Sequence, residues 1–346
     1  MTEIIFTRYL FEKINVKIAL LFSLLDKNED DALFWASELY YSGYEVELEE
    51  YLWITYFQFY SSLNFYLEQY FIKKKKEYNG DHRFIVCMVS NLLIKPYTLD
   101  VFLLYNEYDD ERNKSVINNL GIKELVDMYS KKEYTEMINV LKSRFEESLK
   151  SNKISMKYFA DVNKKEIPTS QDIIILSRIF MCLSLESKKK LGKKIYMSID
   201  DTDLMKYSEF EKNDKKRFVL REVKYNINRN KYSSLFNVKY DVEIEDAYYN
   251  KWEYYANKCP LWNKRFQKYS IIIDDKNKKL TFNDDDESEL FYDTFNYEPD
   301  EQPRNVIESK IILYPNDDDL ENVQDKYTEF INNYNTHGFI TDYHIN

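Results

Sequence analysis

Glycine, proline, histidine and cysteine are all scarce in this chain: 346 residues hold five Gly, six Pro, three His and three Cys. So few positive-φ and turn-forming residues argue against an all-β sandwich and against a glycine-rich dinucleotide-binding α/β fold, and leave helices as the default. Cys87, Cys182 and Cys259 are odd in number and widely spaced, which fits a reducing compartment better than a disulfide-stapled secreted domain. His82 and Cys87 lie five apart, on different faces of a helix, and His337 and His344 have no matching cluster. No zinc site is expected from those spacings. Neither GxxxxGK[ST] nor GxGxxG occurs, so the usual backbone cradles for phosphate are missing and nucleotide hydrolysis is disfavoured. The longest obvious apolar run, Ile18 to Leu25, is interrupted by Ser23 and falls far short of the roughly 20 residues of a membrane span. With Glu3 and Arg8 inside the apolar N-terminal stretch, neither export nor membrane insertion is expected.

What is abundant is aromatic and charged. Hydrophobic residues make up 44% and aromatics 17%, with 32 Tyr and 22 Phe, enough apolar surface to offset chain entropy and build a folded core. The net charge of −11 is unevenly spread. Residues 284–346 hold 17 Asp/Glu against three Lys/Arg, a balance of −14, and the rest of the chain comes to +3. Residues 150–231 carry 20 Lys/Arg against 11 Asp/Glu, so a basic middle precedes an acidic end, and the two either pair internally or face partners.

The densest aromatic stretch is 31–60, where Trp35, Tyr40, Tyr41, Tyr44, Trp53, Tyr56, Phe57, Phe59 and Tyr60 crowd around Gly43. Leu33, Leu39, Leu48 and Leu52 at helical spacing read as core. Tyr40 and Tyr41, being adjacent, cannot share one helix face, and Tyr and Trp are enriched at protein contacts. Trp35, Tyr40, Tyr41, Tyr44 and Trp53 are therefore the candidate partner-binding residues.

Leu10, Ile14, Ile18, Leu21 and Leu25 predict a first helix, and Asn28 with Asp31 resembles a capping box that opens a second, ended by Gly43. Further helices are predicted at 45–61, 64–78, 82–94, 98–108, 113–130 and 133–151, then at 169–185, 188–197, 204–224 and 243–258, the last ended by Pro260. Residues 269–274 and 278–283 read as a β-hairpin around Asp275-Lys-Asn277. The acidic run 284–289 reads as a solvated loop, and a final helix is predicted over 319–335. The expected fold is mainly α, an irregular or HEAT-like antiparallel helical array with a small C-terminal β-hairpin. Its expected parts are an N-terminal helical domain (1–151), a second helical region with a basic surface (169–268), and the hairpin with an acidic C-terminal segment (269–346), with a hinge at 151–168.

Lys188, Lys189, Lys190, Lys193, Lys194, Lys215, Lys216, Arg217 and Arg221 could contact phosphates, with Tyr225, Tyr232 and Phe236 offering stacking faces. These nine basic residues are the candidate nucleic-acid contacts, for RNA or single strands rather than duplex DNA. Asp200, Asp201 and Asp203 could gather a hard cation, but such a cluster before a helix more often caps it. No nucleophile with an adjacent base can be assembled, so no catalytic residue, metal or cofactor is assigned and the chain is not read as an enzyme.

TRYLFEKINVKIALLFSLLDKNEDDALFWASELYYSGYEVELEEYLW (7–53) resembles a recurring, uncharacterised helical module of giant nucleocytoplasmic DNA viruses of the mimivirus kind, and the later YEPDEQP and ESK segments are similar to it. The resemblance brings no catalytic residues. It implies a viral protein acting in the host cytoplasm or virus factory, or packaged in the virion. The expected function is an adaptor or scaffold for viral or host proteins, in viral gene expression, with a translation-initiation scaffold as one version. The alternatives are an RNA-binding factor using 150–231 and an enzyme with an Asp-based metal site.

Overall fold

The computed structural model describes residues 3–109, 171–186, 192–207, 244–295 and 323–334, with single positions between 124 and 140 and at 299, 302 and 304. Its elements run α1 (Lys13–Leu25), α2 (Glu29–Tyr40), α3 (Glu45–Thr55), a π turn (Tyr56–Tyr60), α4 (Leu67–Glu77), α5 (His82–Leu93), α6 (Asp100–Asp109) and α7 (Gln171–Glu186). They continue with α8 (Asp201–Tyr207), α9 (Ile244–Asn250), α10 (Trp252–Ala256), α11 (Pro260–Phe266), β1 (Ile271–Asp274), β2 (Lys279–Phe282), α12 (Asp285–Phe295) and α13 (Val323–Tyr334). The fold is mainly helical with a small antiparallel hairpin near the C-terminus, as the residue pattern predicts.

The chain forms two compact units, each assembled from separate stretches: residues 1–48 with 199–327, and residues 49–198 with 328–346. This partition differs from the sequential one read from composition, whose hinge at 151–168 lies outside the described residues.

In the first unit, α1 and α2 are joined by three residues and pack together, a connection short enough to make neighbours antiparallel. Asn28 caps α2 by accepting from the Asp31 N–H at 3.3 Å, occupying a donor that the first turn leaves without a helical partner. Glu38 of α2 sits fully buried and accepts from Thr7 Oγ1 at 2.6 Å, Arg8 Nε at 2.8 Å and the Tyr9 N–H at 3.0 Å. The Arg8 guanidinium lies over the Tyr9 and Tyr41 rings. Residues from far along the chain close this unit. Leu261 N–H and Cys259 Sγ both donate to Ser42 O at 3.2 Å, and Trp262 Nε1 donates to Thr7 O at 3.2 Å. Gly43 is required there, since its φ is +91° and an added Cβ would stand 2.7 Å from Pro260 Cβ. Trp252, Trp262, Phe266 and Phe291 form a buried aromatic core, with Phe266 and Phe291 stacked at 4.8 Å, and half-buried Phe282 of β2 packs on Phe291 at 5.0 Å. The hairpin register pairs Ile271 with Phe282 and Asp274 with Lys279.

In the second unit, the end of α3 widens into the π turn, where the Ser61 N–H reaches Tyr56 O at 2.8 Å. The wider turn presents Phe59 O to the Thr98 N–H, also at 2.8 Å. Trp53, Tyr56, Phe57 and Phe71 pack ring on ring within 6.0 Å. Asn64 Nδ2 ties this turn to the one after α5, donating to Tyr60 O at 2.8 Å and Pro96 O at 2.7 Å. Every α5 residue except Arg83 is buried. Arg178 of α7 pairs with Glu68 of α4. Burial raises the Glu68 carboxyl above its ordinary range, with Arg178 pulling the other way.

Three predictions of local structure are corrected. Residues 192–197 are irregular rather than helical, with a bend at Lys194 and a tight turn in which the Ile195 N–H donates to Lys193 O at 2.8 Å; side chains of α4 and α5 bind the carbonyls of Lys193, Ile195 and Met197. The stretch 243–258 breaks at Lys251 into α9 and α10, and Pro260 opens α11 at its first turn, where its missing N–H costs nothing. The acidic run is not a loop: Asp284 Oδ1 accepts from the Glu287 N–H at 2.8 Å, and Asp285, Asp286 and Glu287 fill the first turn of α12, where the helix dipole favours negative charge. Most of 110–150 and all of 208–224 lie outside the described residues.

Candidate functional site

Four residues at intervals of four mark one face of α4 and its flanks: Tyr66, Tyr70, Lys74 and Tyr78. Three more at the same interval mark α5 and its end: Cys87, Asn91 and Lys95. Residues four apart stack on one helix face, and the short turn 78–81 folds α5 back against α4, so the two rows face each other in opposite order. Along them lies the irregular segment 192–198, here called the strap.

The strap is held chiefly by its backbone. Lys193 O accepts from Tyr66 Oη and from Lys95 Nζ at 2.7 Å. Ile195 O accepts from Lys95 Nζ as well. Met197 O accepts from Asn91 Nδ2 at 2.7 Å and Tyr70 Oη at 2.8 Å, with Cys87 Sγ at 3.5 Å. The Met197 N–H in turn donates to Asn91 Oδ1 at 2.9 Å. The carbonyls of Lys193, Ile195 and Met197 are therefore all gripped, and the Ile195 N–H closes a tight turn on Lys193 O at 2.8 Å. At the start of the strap, Gly192 N–H donates to Leu63 O at 3.1 Å, and an added Cβ would fall 1.8 Å from Asn64 Oδ1. Tyr196 contributes the one packed ring, stacked on Tyr70 at 4.3 Å and edge-on to Tyr66 at 5.7 Å. The Ile195, Tyr196 and Met197 side chains are otherwise among the most exposed apolar groups described.

The electrostatics suit binding rather than covalent chemistry. Burial draws the Lys95 ammonium below its ordinary pKa; it donates to carbonyls and lies over the Tyr66 and Tyr196 rings. Burial pushes the Cys87 thiol up to about 11, against the Tyr70 hydrogen bond and Lys74, so the neutral, weakly nucleophilic form prevails near neutral pH.

The candidates named from sequence fall elsewhere. Trp35 and Trp53 are 1% and 0% exposed, and Tyr44 is 9% exposed, so these rings are core and do not offer a contact surface, which corrects their assignment as partner-binding. Tyr40 and Tyr41 are half-buried, edge-to-face with each other. Lys193 and Lys194 are exposed on the strap, while Lys188, Lys189, Lys190, Lys215, Lys216, Arg217 and Arg221 lie outside the described residues. Asp200 is a cap: its Oδ1 accepts from the Thr202 N–H at 2.9 Å and the Asp203 N–H at 2.8 Å. Among the described residues no group of His, Cys, Asp and Glu is placed to hold a metal ion, and no helix is long and apolar enough to cross a membrane. The seven groove residues were missed because a Tyr, Lys or Asn on a helix reads as surface until the strap, about 100 residues away, is laid on it. Their four-residue spacing was the available signal.

No family model matches the chain, and neither a curated protein nor a solved structure matches it.

Proposed function

We propose that this chain is a non-enzymatic adaptor that holds other proteins through a non-helical segment laid along the α4–α5 face. The observation that carries this reading is the two-point grip of Asn91 on Met197, one amide meeting both the N–H and the C=O of a single residue. Contacts of that kind recognise any extended backbone, whatever its side chains, and so do not depend on the strap being part of the same chain. As its setting the proposal takes what the resemblance of residues 7–53 to the giant-virus helical module implies: the host cytoplasm or virus factory, with viral or host proteins as partners.

The test uses the full chain with residues 193–198 replaced by an equal length of Gly and Ser, titrated with a labelled synthetic peptide of residues 191–199. Saturable binding is expected, weakened about tenfold or more by Asn91→Ala, since two hydrogen bonds of about 0.5–1.5 kcal/mol each are lost. A strap-replaced chain that keeps its helical circular dichroism yet binds no peptide at millimolar concentration would sink the reading.

A further inference from the structure

Backbone contacts explain how the groove holds a chain, but two positions of the strap meet side chains that read chemistry. One is Tyr196, stacked on Tyr70 and edge-on to Tyr66. The other is Ser198, whose hydroxyl lies 3.3 Å from Lys74 Nζ and 3.5 Å from Tyr78 Oη. Ile195 and Met197, between and before them, are 55% and 37% exposed and add little selectivity.

The side chains that Ser198 meets at this end of the groove are a cation and a phenol. Lys74 is 8% exposed as a whole residue, with its ammonium held over the Tyr78 ring at 5.0 Å and the Tyr70 ring at 5.9 Å. Arg83 lies over the other part of the same region, 5.5 Å from the Tyr78 ring. Two carboxylates oppose this charge: Glu77 pairs with Lys74 at 2.8 Å, and Asp81 pairs with Arg83 at 2.8 Å. The Lys74 side chain is 10% exposed and the Glu77 side chain 48% exposed, so a second carboxylate reaching Lys74 has to share the ammonium with Glu77 or displace it. Both Ser198 contacts stand at the long limit of a hydrogen bond. An Asp carboxylate at that position extends one bond further than a serine hydroxyl and brings a full charge, turning the long Lys74 contact into an ion pair and the long Tyr78 contact into a charge-assisted hydrogen bond.

Resting on the adaptor reading, we infer that the partner segment is an acidic peptide with an aromatic residue two positions before an Asp or Glu, and that the strap, with Tyr196 and Ser198, is a weaker occupant of the same groove. The aromatic residue fills the Tyr66–Tyr70 shelf, the residue between is read only through its backbone by Asn91, and the carboxylate reaches Lys74 and Tyr78. A partner carrying that pattern displaces the strap.

The experiment compares four labelled nine-residue peptides on the strap-replaced full chain: the 191–199 sequence, the same with Ser198→Asp, with Ser198→Lys, and with Ser198→Asp combined with Tyr196→Ala. The Asp peptide is expected to bind about tenfold tighter than the Ser peptide, with the gain shrinking in 0.5 M salt. The Lys peptide and the Ala peptide are each expected to bind weaker than the Asp peptide by about tenfold. Lys74→Met in the receptor should erase the difference between Asp and Ser peptides while leaving the Ser peptide bound. If Ser and Asp peptides bind alike, or the Lys74→Met receptor still prefers Asp, the acidic-partner inference is overturned and the adaptor reading stands. If the folded receptor binds none of the four, both fall.

Discussion

Asn91 and Met197, 106 positions apart in the chain, are joined by two hydrogen bonds in opposite senses: Asn91 Nδ2 to Met197 O at 2.7 Å, and Met197 N–H to Asn91 Oδ1 at 2.9 Å. Asn91 is wholly buried and also donates to Cys87 O in its own helix at 2.8 Å. Its amide is thus oriented by α5 before it meets the strap, which is how a side chain from a rigid helix comes to position a distant segment.

Asn91→Ala is expected to loosen the strap without unfolding the second unit. Cys87 reports on this, because its thiol is covered and contacts Met197 O. Alkylation of Cys87, followed by peptide mapping so that Cys182 and Cys259 are counted separately, should speed up about tenfold or more in the variant as the opened state becomes more populated. An unchanged rate would mean the strap is held by its other contacts alone.

Gly192→Ala tests the same segment from its other end. The added methyl would fall 1.8 Å from Asn64 Oδ1, and Asn64 is pinned by its two bonds to Tyr60 O and Pro96 O. The strap, not Asn64, is therefore expected to give way. Hydrogen exchange should show lost protection at Met197 while the amides of α5 keep theirs, and Cys87 alkylation should rise as for Asn91→Ala.

In the first unit, removing the Glu38 carboxylate leaves a buried Arg8 without its ion-pair partner and strips acceptors from Thr7 Oγ1 and the Tyr9 N–H. Glu38→Ala should lower unfolding free energy by about 3–5 kcal/mol. Adding Arg8→Met should recover part of that loss, because the stranded charge goes with it. Urea denaturation of the single and double variants decides; equal losses would show that the charge is not the cause.

Glu47 bridges Lys13 at 3.1 Å and Lys17 at 2.5 Å. Burial raises its pKa, but the hydrogen bonds and charge of Lys17 and Lys13 outweigh it and leave the carboxyl below its ordinary 4.5. A folded pKa below the unfolded one means the stabilisation is present above pH 4.5 and fades as pH falls through the folded value. With the Glu47 side chain 35% exposed, the effect after solvent screening is about 0.5 kcal/mol. Glu47→Gln should therefore be less stable than the parent at pH 6, with the gap narrowing as pH falls below 4.5 in urea titrations. A gap that does not change with pH would assign the loss to packing.

Several parts of this protein were written locally. The α1–α2 pair, the Asn28 cap, the stop at Gly43 and the hairpin around residues 275–277 follow from apolar spacing, a capping side chain, a residue free to take positive φ and a polar turn, all within a few positions. The errors share one cause. Residues 188–197 carry helix formers, yet the strap is not helical: its carbonyls bond to Asn91, Lys95, Tyr66 and Tyr70, partners that lie far off in the chain. The acidic run 284–289 looks like a solvated loop until Asp284 takes the cap position of α12. Trp35 and Trp53 look adhesive in sequence because a ring's type does not tell which way it points.

By itself, then, the sequence determined the helical class, the hairpin and the absence of familiar phosphate-binding motifs, since each rests on residue types and spacings that act over one or two turns. Only the tertiary structure decided that residues 66–95 and 192–198 meet, that residues 257–263 close the first unit on Ser42 and Thr7, and which aromatics are core. Those are contacts across 98 to 255 positions, and no local propensity encodes which distant backbone a side chain will find.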